Sequence, residues 1–198
     1  MLFLLVNASV HKDGLTKRML LEAKDVFESN GCRVNTVELG GTARHSCLAC
    51  GRCRTSGSCA IGDLSELTEA VSKADGVIFA TPTHYASATG GLMSVLSRLC
   101  FSAGHIFEHK PVSSFAVARR AGAVCAIEEI NRFFSFTSAI TVNGIYPPHL
   151  YGGERDSEGL ANAKSIAENM IWIARCIETA RANGIEPFAK TVAVRVNI

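Results

Sequence analysis

Four cysteines lie within one short segment of the chain. Cys47, Cys50, Cys53 and Cys59 have the spacing C-x2-C-x2-C-x5-C. Thiolates are soft ligands, and four of them suit either a cubane iron–sulfur centre or a tetrahedral zinc ion. Zinc ribbons usually use two separated C-x2-C pairs, so three cysteines at this interval favour an iron–sulfur loop. The spacing predicts a metal site at these four residues and suggests redox chemistry.

Neighbouring residues fit a negatively charged centre. Arg44, Arg52 and Arg54 could offset the charge of a cluster, and Gly51 and Gly57 let the backbone approach the sulfur atoms. Two other interpretations stay open, a segment without a metal and one that contains a disulfide formed in air. Iron and acid-labile sulfide analysis after anaerobic purification would distinguish them.

Composition limits the class of protein. The 198 residues fit one domain, 1–198, with a cysteine-rich loop at 44–62 and a C-terminal extension at 184–198. The chain is 47% hydrophobic, which is enough for a large core. Its formal net charge is only +2 and it has no run of like charge, so we expect small-molecule partners rather than nucleic acid or a membrane.

Cysteine usage and hydropathy predict a reducing compartment. The apolar run 2–6 is followed at once by polar residues, so it reads as a buried strand rather than a targeting or membrane segment. Eight cysteines without a signal segment argue against a disulfide framework and for the cytoplasm. The four outside the cysteine segment are expected to be small buried hydrophobes: Cys32, Cys100, Cys125 and Cys176.

Short apolar runs alternate with segments of helical spacing, which predicts an α/β fold with a parallel sheet and right-handed crossovers. The predicted strands are 2–6, 33–38, 76–80, 111–118 and 140–145. Five helices are predicted. The first runs from 15 to a stop at Asn30-Gly31, and the second runs from a cap at Asp63 or Ser65 to 74. The others are 91–101, a helix that follows residue 122 and ends at about 138, and 157–183. The tail 190–198 alternates like an edge strand.

Three polar loops follow the carboxyl ends of predicted strands. They are the first loop (8–15), the second loop (81–87) and the third loop (119–123). In an open α/β sheet, ligands bind at that edge. We therefore expect one binding site to be built from these three loops.

The first loop joins a strand to a helix and suits a phosphate. Backbone N–H groups at a helix start are unpaired and lie at the positive end of the helix dipole. The side chains of Ser9, His11 and Thr16 can add donors beside Gly14 and Leu15. The loop is neither a Walker A sequence nor a G-x-G-x-x-G fingerprint, so ATP or a Rossmann-bound dinucleotide is disfavoured. The alternative is a plain polar turn.

Taken in order, these segments resemble the flavodoxin-like NAD(P)H-dependent FMN reductases, and especially the iron–sulfur flavoproteins among them. The match covers most of residues 1–182, and the cysteine pattern is its most specific part. Its other parts are the first loop, the second loop with the helix after it, the tract 143–146 and Tyr151-Gly152. The resemblance implies a flavodoxin-like three-layer sandwich around a five-stranded parallel sheet of order 2-1-3-4-5.

The resemblance also implies the cofactors. FMN would bind with its phosphate on the first loop and its ring between the second and third loops, and the four cysteines match those that hold a [4Fe–4S] cluster. Such proteins are commonly homodimers or homotetramers, with the flavin near a subunit boundary. This chain departs from the family at Ala8 and His11, where Gly and Arg are usual, and in a third loop that is less rich in glycine.

The second loop could form the slot for the flavin ring. Pro82 gives a rigid rim, and Thr83, His84, Tyr85 and Ala86 can offer backbone amides, with an aromatic edge from the tyrosine. The alternative is an ordinary strand-exit turn with a packed tyrosine. No acid or base is assigned; the histidine is a candidate that lines the pocket.

The third loop carries two positive charges. Arg119 or Arg120 is predicted to lie near the pyrimidine edge of the ring, beside Gly122, where positive charge would stabilise anionic reduced flavin and raise its potential. The alternative is a pair of solvated surface arginines. An Arg120→Ala variant with an unchanged midpoint potential would exclude that role for Arg120.

These patterns together predict an FMN-dependent oxidoreductase. Its donor would be NAD(P)H or reduced ferredoxin, and its acceptor a quinone, a flavin or oxygen. The first alternative is an electron-transfer module in which a cluster takes electrons from ferredoxin and FMN relays them. The second, from another class, is a zinc-bearing binding protein without flavin.

Overall fold

Strands and helices alternate along the chain from its first residues onward. The computed structural model describes residues 1–40, 44–152 and 156–188. The strands are β1 (Leu2–Asn7), β2 (Arg33–Glu38), β3 (Gly76–Pro82), β4 (Pro111–Ala118), β5 (Ile140–Thr141) and β6 (His149–Tyr151). The helices are α1 (Leu15–Ser29), the single turn α2 (Cys53–Ser56), α3 (Ser65–Lys73), α4 (Gly90–Ala103), α5 (Ala123–Ser135) and α6 (Ser157–Ala182). Two 3-10 turns occupy Gly62–Leu64 and Gly104–Phe107.

The strands form one parallel sheet in the order β2-β1-β3-β4-β5, with β6 also paired to β4. This confirms the predicted flavodoxin-like order 2-1-3-4-5. Strands β1, β3 and β4 are buried almost throughout because both of their faces are covered by helices. That burial explains their continuous apolar runs.

Helices cover both faces of the sheet, so the fold has three layers. On one face, α1 and α6 bury Phe3, whose ring stacks on Phe27 with centroids 4.0 Å apart. On the other face, α3, α4 and α5 enclose a second core in which Phe79 packs against Phe107 and Phe134. Two separate cores hold the sheet rigid between them, which keeps the loops at its carboxyl edge in fixed positions.

The predicted fifth strand, 140–145, is wrong after its second residue. The Asn162 side chain accepts a hydrogen bond from the Ile145 N–H (3.1 Å) and donates one to the Tyr146 carbonyl (3.1 Å), which pulls this segment out of the sheet. Pro147-Pro148 then provides no N–H for a ladder. The chain returns as β6, an unpredicted sixth strand that pairs with the end of β4.

Some local predictions are corrected by the structure. Neither Asp63 nor Ser65 caps α3; the N-cap residue is Leu64, and no side chain bonds the helix start. Helix α5 ends at Ser135, three residues before the predicted end near 138. The predicted edge strand at 190–198 lies outside the described residues. No helix in the described ranges is both long and apolar enough to cross a bilayer.

The isolated cysteines divide into two groups. Cys32 is buried as predicted. Cys100 is largely enclosed, and burial raises the pKa of its thiol to about 12. The prediction of burial is wrong for Cys125 and Cys176, because they lie on the outward faces of α5 and α6.

Candidate functional site

The second and third loops meet at the carboxyl edge of the sheet. They follow β3 and β4, which are parallel neighbours. At Gly122, whose φ is +87°, an added Cβ would lie 2.5 Å from the Cα of Ala86, so the two backbones touch. A hollow of about 540 Å³ lies over this contact, lined by Thr83, Tyr85, Ala86, Arg119, Arg120 and Ala121. Of the residues predicted to surround a flavin ring, five line this hollow. Pro82, His84 and Gly122 do not line it.

The first loop lies at the same edge, after β1, and does not line that hollow. The buried Asn7 accepts a hydrogen bond from the Ser9 N–H (3.0 Å), and the Ser9 hydroxyl accepts one from the His11 N–H (3.1 Å). Thr16 is buried in the first turn of α1, and no side chain caps that helix at Gly14. The loop is therefore held from within while the amides at the helix start stay available to an anion.

The second loop forms a strained two-residue turn. His84 and Ser87 exchange two backbone hydrogen bonds of 2.9 and 3.0 Å, and Tyr85 and Ala86 between them have φ values of +50° and +61°. Positive φ at both central residues defines a type I′ turn, which usually contains Asn or Gly. The Tyr85 side chain is fully exposed, which contradicts the packed tyrosine of the alternative interpretation. Strain of this kind persists only where the surroundings enforce it.

A glutamate on α5 supplies that enforcement. One carboxylate oxygen of Glu129 accepts hydrogen bonds from the Ser87 hydroxyl (2.7 Å) and the Ala88 N–H (3.0 Å). The sequence offered no signal for this residue, since nothing in its spacing relates α5 to the second loop. Glu129 ties the helix that follows the third loop to the end of the second loop.

Replacing Glu129 by alanine is expected to lower FMN affinity about tenfold. Two hydrogen bonds to a carboxylate would be lost, and even ~1.4 kcal/mol of turn relaxation corresponds to a factor of ten in binding. Fluorescence titration of the apoprotein with FMN measures the effect. Glu128→Ala, a change at the exposed neighbouring position, is the matched control and should leave affinity unchanged. Equal dissociation constants for both variants would contradict this role.

An unpartnered hydroxyl faces the same region. The Thr83 N–H donates to the Val117 carbonyl (2.7 Å), but the buried Thr83 hydroxyl has no partner among the residues that the structure describes. A buried polar atom without a partner costs free energy unless a ligand or water satisfies it. The hydroxyl fits the polar edge of a flavin, which carries both donors and acceptors.

The third loop presents its two arginines to solvent. Arg119 and Arg120 are exposed at the rim of the hollow. Within the described residues, neither guanidinium has an ion-pair partner, so both charges remain available to a ligand. Their predicted place at the pyrimidine edge of the ring stays a prediction.

The four predicted metal ligands surround one small hollow on the outside of α4. The hollow, of about 30 Å³, is bounded by Cys47, Cys50, Cys53 and Cys59 and by Arg98. None of these four cysteines forms a disulfide with another described cysteine. In the ranges that the structure describes, no three His, Cys, Asp or Glu side chains come close enough to hold a metal ion. The thiols thus fit a soft metal by their chemistry and common placement, without showing a ligand geometry.

An ion-pair network that joins the buried Arg98 to the solvent-exposed Asp63 lies beside this hollow. The Arg98 side chain is only 1% exposed and forms a two-pronged salt bridge with Asp63 at 2.6 and 3.0 Å. Arg44 binds the same carboxylate at 2.9 Å. Hydrogen bonds from Arg98, and then from Arg44, lower the pKa of Asp63 to about 2. The sequence interpretation missed Arg98, although its position three residues after Val95 on an apolar stripe was the available signal.

A further hollow, of about 350 Å³, lies at the opposite, amino edge of the sheet and contains none of the predicted site residues. Lys110 in its wall donates to the carbonyls of Val71 and Ser72 at the end of α3. Burial lowers the pKa of this lysine to about 8. The lysine caps a helix C-terminus, which is a structural role.

Comparison with known proteins identifies the family of the chain. The model of the family "NADPH-dependent FMN reductase" matches residues 1–148. The chain belongs to the NADPH-dependent FMN reductase family. This membership makes the protein an FMN-dependent oxidoreductase with FMN as its cofactor, as the sequence predicted, and it argues against the flavin-free alternative. The family match covers all three loops and the cysteine segment.

Individual relatives agree with this family assignment. An iron–sulfur flavoprotein of Methanocaldococcus jannaschii is 24% identical over 187 residues, which cover 87% of this chain and 97% of the relative. An iron–sulfur flavoprotein of Methanosarcina thermophila is 23% identical, with 89% and 96% covered. The flavodoxin of Streptococcus pneumoniae TIGR4 superposes with a TM-score of 0.62 at 15% identity, covering 87% of this chain and 99% of that one. The predicted kinship with iron–sulfur flavoproteins and the flavodoxin-like fold are both confirmed.

Proposed function

We propose that this FMN-dependent oxidoreductase takes electrons from NAD(P)H and passes them to a quinone, a flavin or oxygen. The observation that carries the proposal is the hollow between the second and third loops in a member of this family. One side presents an unpartnered Thr83 hydroxyl, and the other presents the exposed guanidiniums of Arg119 and Arg120. Access from solvent is open there, as a reaction with a diffusing donor requires.

The residues of this chain would bind and orient the cofactor. The amides at the start of α1, with Ser9 and Thr16, would hold the phosphate, as a helix N-terminus does for an anion. The strained turn at Tyr85 and Ala86 would fix the ring edge, and Arg120 would place positive charge near it. Bound FMN supplies the hydride and electron chemistry, and the protein sets its position and potential.

We also propose that the four cysteines hold a [4Fe–4S] cluster. The shared hollow of the thiols and the likeness to two proteins named iron–sulfur flavoproteins support this. Such a cluster would make reduced ferredoxin an alternative donor, with FMN relaying the electrons. The many free thiols fit a reducing compartment such as the cytoplasm. Exposed Phe136 and Trp172 support a homodimer or homotetramer, which light scattering would measure.

Anaerobic purification followed by a visible spectrum and rapid-mixing kinetics tests the function. We expect bound FMN, broad iron–sulfur absorbance, and flavin bleaching on addition of NADH or NADPH. Bleaching by reduced ferredoxin alone would favour the electron-transfer module over the NAD(P)H oxidoreductase. Colourless protein that also fails to bind added FMN would contradict the proposed function altogether.

A further inference from the structure

A charged side chain inside the α4 core needs a reason. Arg98 is among the largest fully buried side chains, and its Nε has no partner. Removing the Arg98 charge from water costs free energy, which its attraction to the exposed Asp63 carboxylate must offset. An apolar residue at this position of the stripe would fill the same space without that cost. The arginine therefore points to a role beyond packing.

The guanidinium joins three separate segments at the cysteine hollow. Its Nη1 lies 2.6 Å from an Asp63 carboxylate oxygen and 3.9 Å from the Cys59 sulfur. Asp63 sits in the 3-10 turn that follows the cysteine segment and also binds Arg44. The contact to sulfur is long, but the guanidinium that makes it is held in place by two hydrogen bonds to the Asp63 carboxylate.

The network also carries excess positive charge toward the sulfur atoms. Arg98 and Arg44 provide two positive charges, and Asp63 provides one negative charge, so the three side chains retain one positive charge. The Arg98 side chain is 1% exposed, whereas its partner Asp63 stays in contact with solvent, which screens the pair in part. A centre bound by four thiolates is anionic, and it becomes more so when it accepts an electron.

From this geometry we propose that Arg98 is a positioning residue for the cysteine site: it holds Cys59 and supplies the fixed charge that favours the reduced form of a thiolate-bound iron–sulfur centre. The inference rests on the [4Fe–4S] cluster of the proposed function. The reduction concerned is the addition of one electron to the centre, supplied in the test by dithionite. Asp63 has the opposite effect, because its carboxylate orients the guanidinium but offsets part of its charge.

Potentiometric titration of anaerobically purified protein, followed by electron paramagnetic resonance, tests this assignment. The variants are Arg98→Met, Arg98→Lys and Asp63→Asn. Arg132→Met, which removes the same charge from the exposed face of α5, is the matched control. Iron, sulfide and FMN are quantified in each sample, and circular dichroism verifies that each variant is folded.

The two charge changes should shift the potential in opposite directions. At the wild-type midpoint, Arg98→Met should lower the ratio of reduced to oxidised centre about tenfold, a shift of about 59 mV for one electron. Arg98→Lys should have a midpoint potential close to that of the wild type. Asp63→Asn should raise the ratio of reduced to oxidised centre, and Arg132→Met should leave this ratio unchanged. A purely structural role would shift Arg98→Met and Asp63→Asn in the same direction, or move neither.

Failure of the inference is distinguishable from failure of the cluster proposal. A wild-type protein that contains FMN but no iron and sulfide overturns both. A wild-type protein with the centre, and variants that keep both the centre and its potential, overturns the role of Arg98 alone. If Arg98→Met does not fold, the midpoint potentials of Asp63→Asn and Arg98→Lys provide the test. An upward shift of the potential in Asp63→Asn, with Arg98→Lys close to the wild type, supports the assignment. An unchanged potential in Asp63→Asn overturns the assignment.

Discussion

Replacement of Gly40 by alanine is expected to weaken FMN binding about a hundredfold. A Cβ at this position would lie 1.7 Å from the Ser9 carbonyl oxygen, 2.3 Å from its carbon and 2.7 Å from the Val10 nitrogen. All three are backbone atoms of the first loop, so no side chain can rotate away to relieve the collision. The loop itself must move, and with it the hydroxyl and amides that are predicted to hold the phosphate.

The magnitude follows from the cost of inserting a methyl group against backbone. Overpacking of this kind costs ~1–3 kcal/mol or more, and ~2.8 kcal/mol lost from cofactor binding is about a hundredfold in affinity. Titration with FMN measures the affinity, and urea unfolding of the apoprotein measures the accompanying loss of stability. Gly62→Ala is the control, because an added Cβ there meets nothing within 4 Å. FMN affinity in Gly40→Ala within twofold of the control would exclude the first loop from the site.

Replacement of Gly122 by alanine is expected to weaken FMN binding by a comparable factor through the ring side of the site. The new Cβ would lie 2.5 Å from the Ala86 Cα, 2.8 Å from its Cβ and 3.2 Å from the Thr83 Cγ2. The second and third loops would have to separate, which would widen the hollow between them. Because the turn at Ala86 is already strained, the displacement would also release its left-handed conformation.

A second glycine separates this collision from simple backbone strain. Gly31 has a φ of +75°, similar to the +87° of Gly122, but an added Cβ there meets nothing within 4 Å. Gly31→Ala should therefore show only the ~1 kcal/mol cost of a left-handed alanine, seen in urea unfolding, and unchanged FMN affinity. Gly122→Ala should lose stability and about a hundredfold in affinity. Equal affinity in the two variants would mean that the contact between the loops does not shape the site.

These predictions concern residues that position the site rather than residues that touch the cofactor. Gly40 and Gly122 allow two close approaches of backbone, and Glu129 holds the strained turn of the second loop. Arg98 has the same relation to the cysteine hollow. The two sites lie at opposite ends of α4, because the second loop precedes its first residue and the cysteine hollow packs against its last two turns. Helix α4 thus separates the proposed flavin site from the cysteine hollow.

The fold class could be predicted from the amino-acid sequence, and the place of the flavin site stays a prediction. Continuous apolar runs indicate strands that are covered on both faces, and helical spacing indicates the faces that cover them, so a parallel α/β sheet could be predicted. The order 2-1-3-4-5 came from the resemblance to the FMN reductases. Polar loops after such strands mark the ligand edge, and the four cysteines are close enough in sequence for one loop to bring them together. These features depend on local pattern, which a sequence displays directly.

The long-range contacts that hold these segments in place become visible in the folded structure. Three contacts join residues that are far apart in the sequence, and no local spacing reveals them. They are Glu129 with Ser87, Arg98 with Asp63, and Asn162 with the segment after β5. The same holds for Cys125, which was predicted to be buried and is exposed, because helical spacing did not identify its place on the outward face of α5. Contacts between residues that are distant in the sequence depend on how the helices pack on both faces of the sheet. Burial and hydrogen-bond geometry are set by all three layers together.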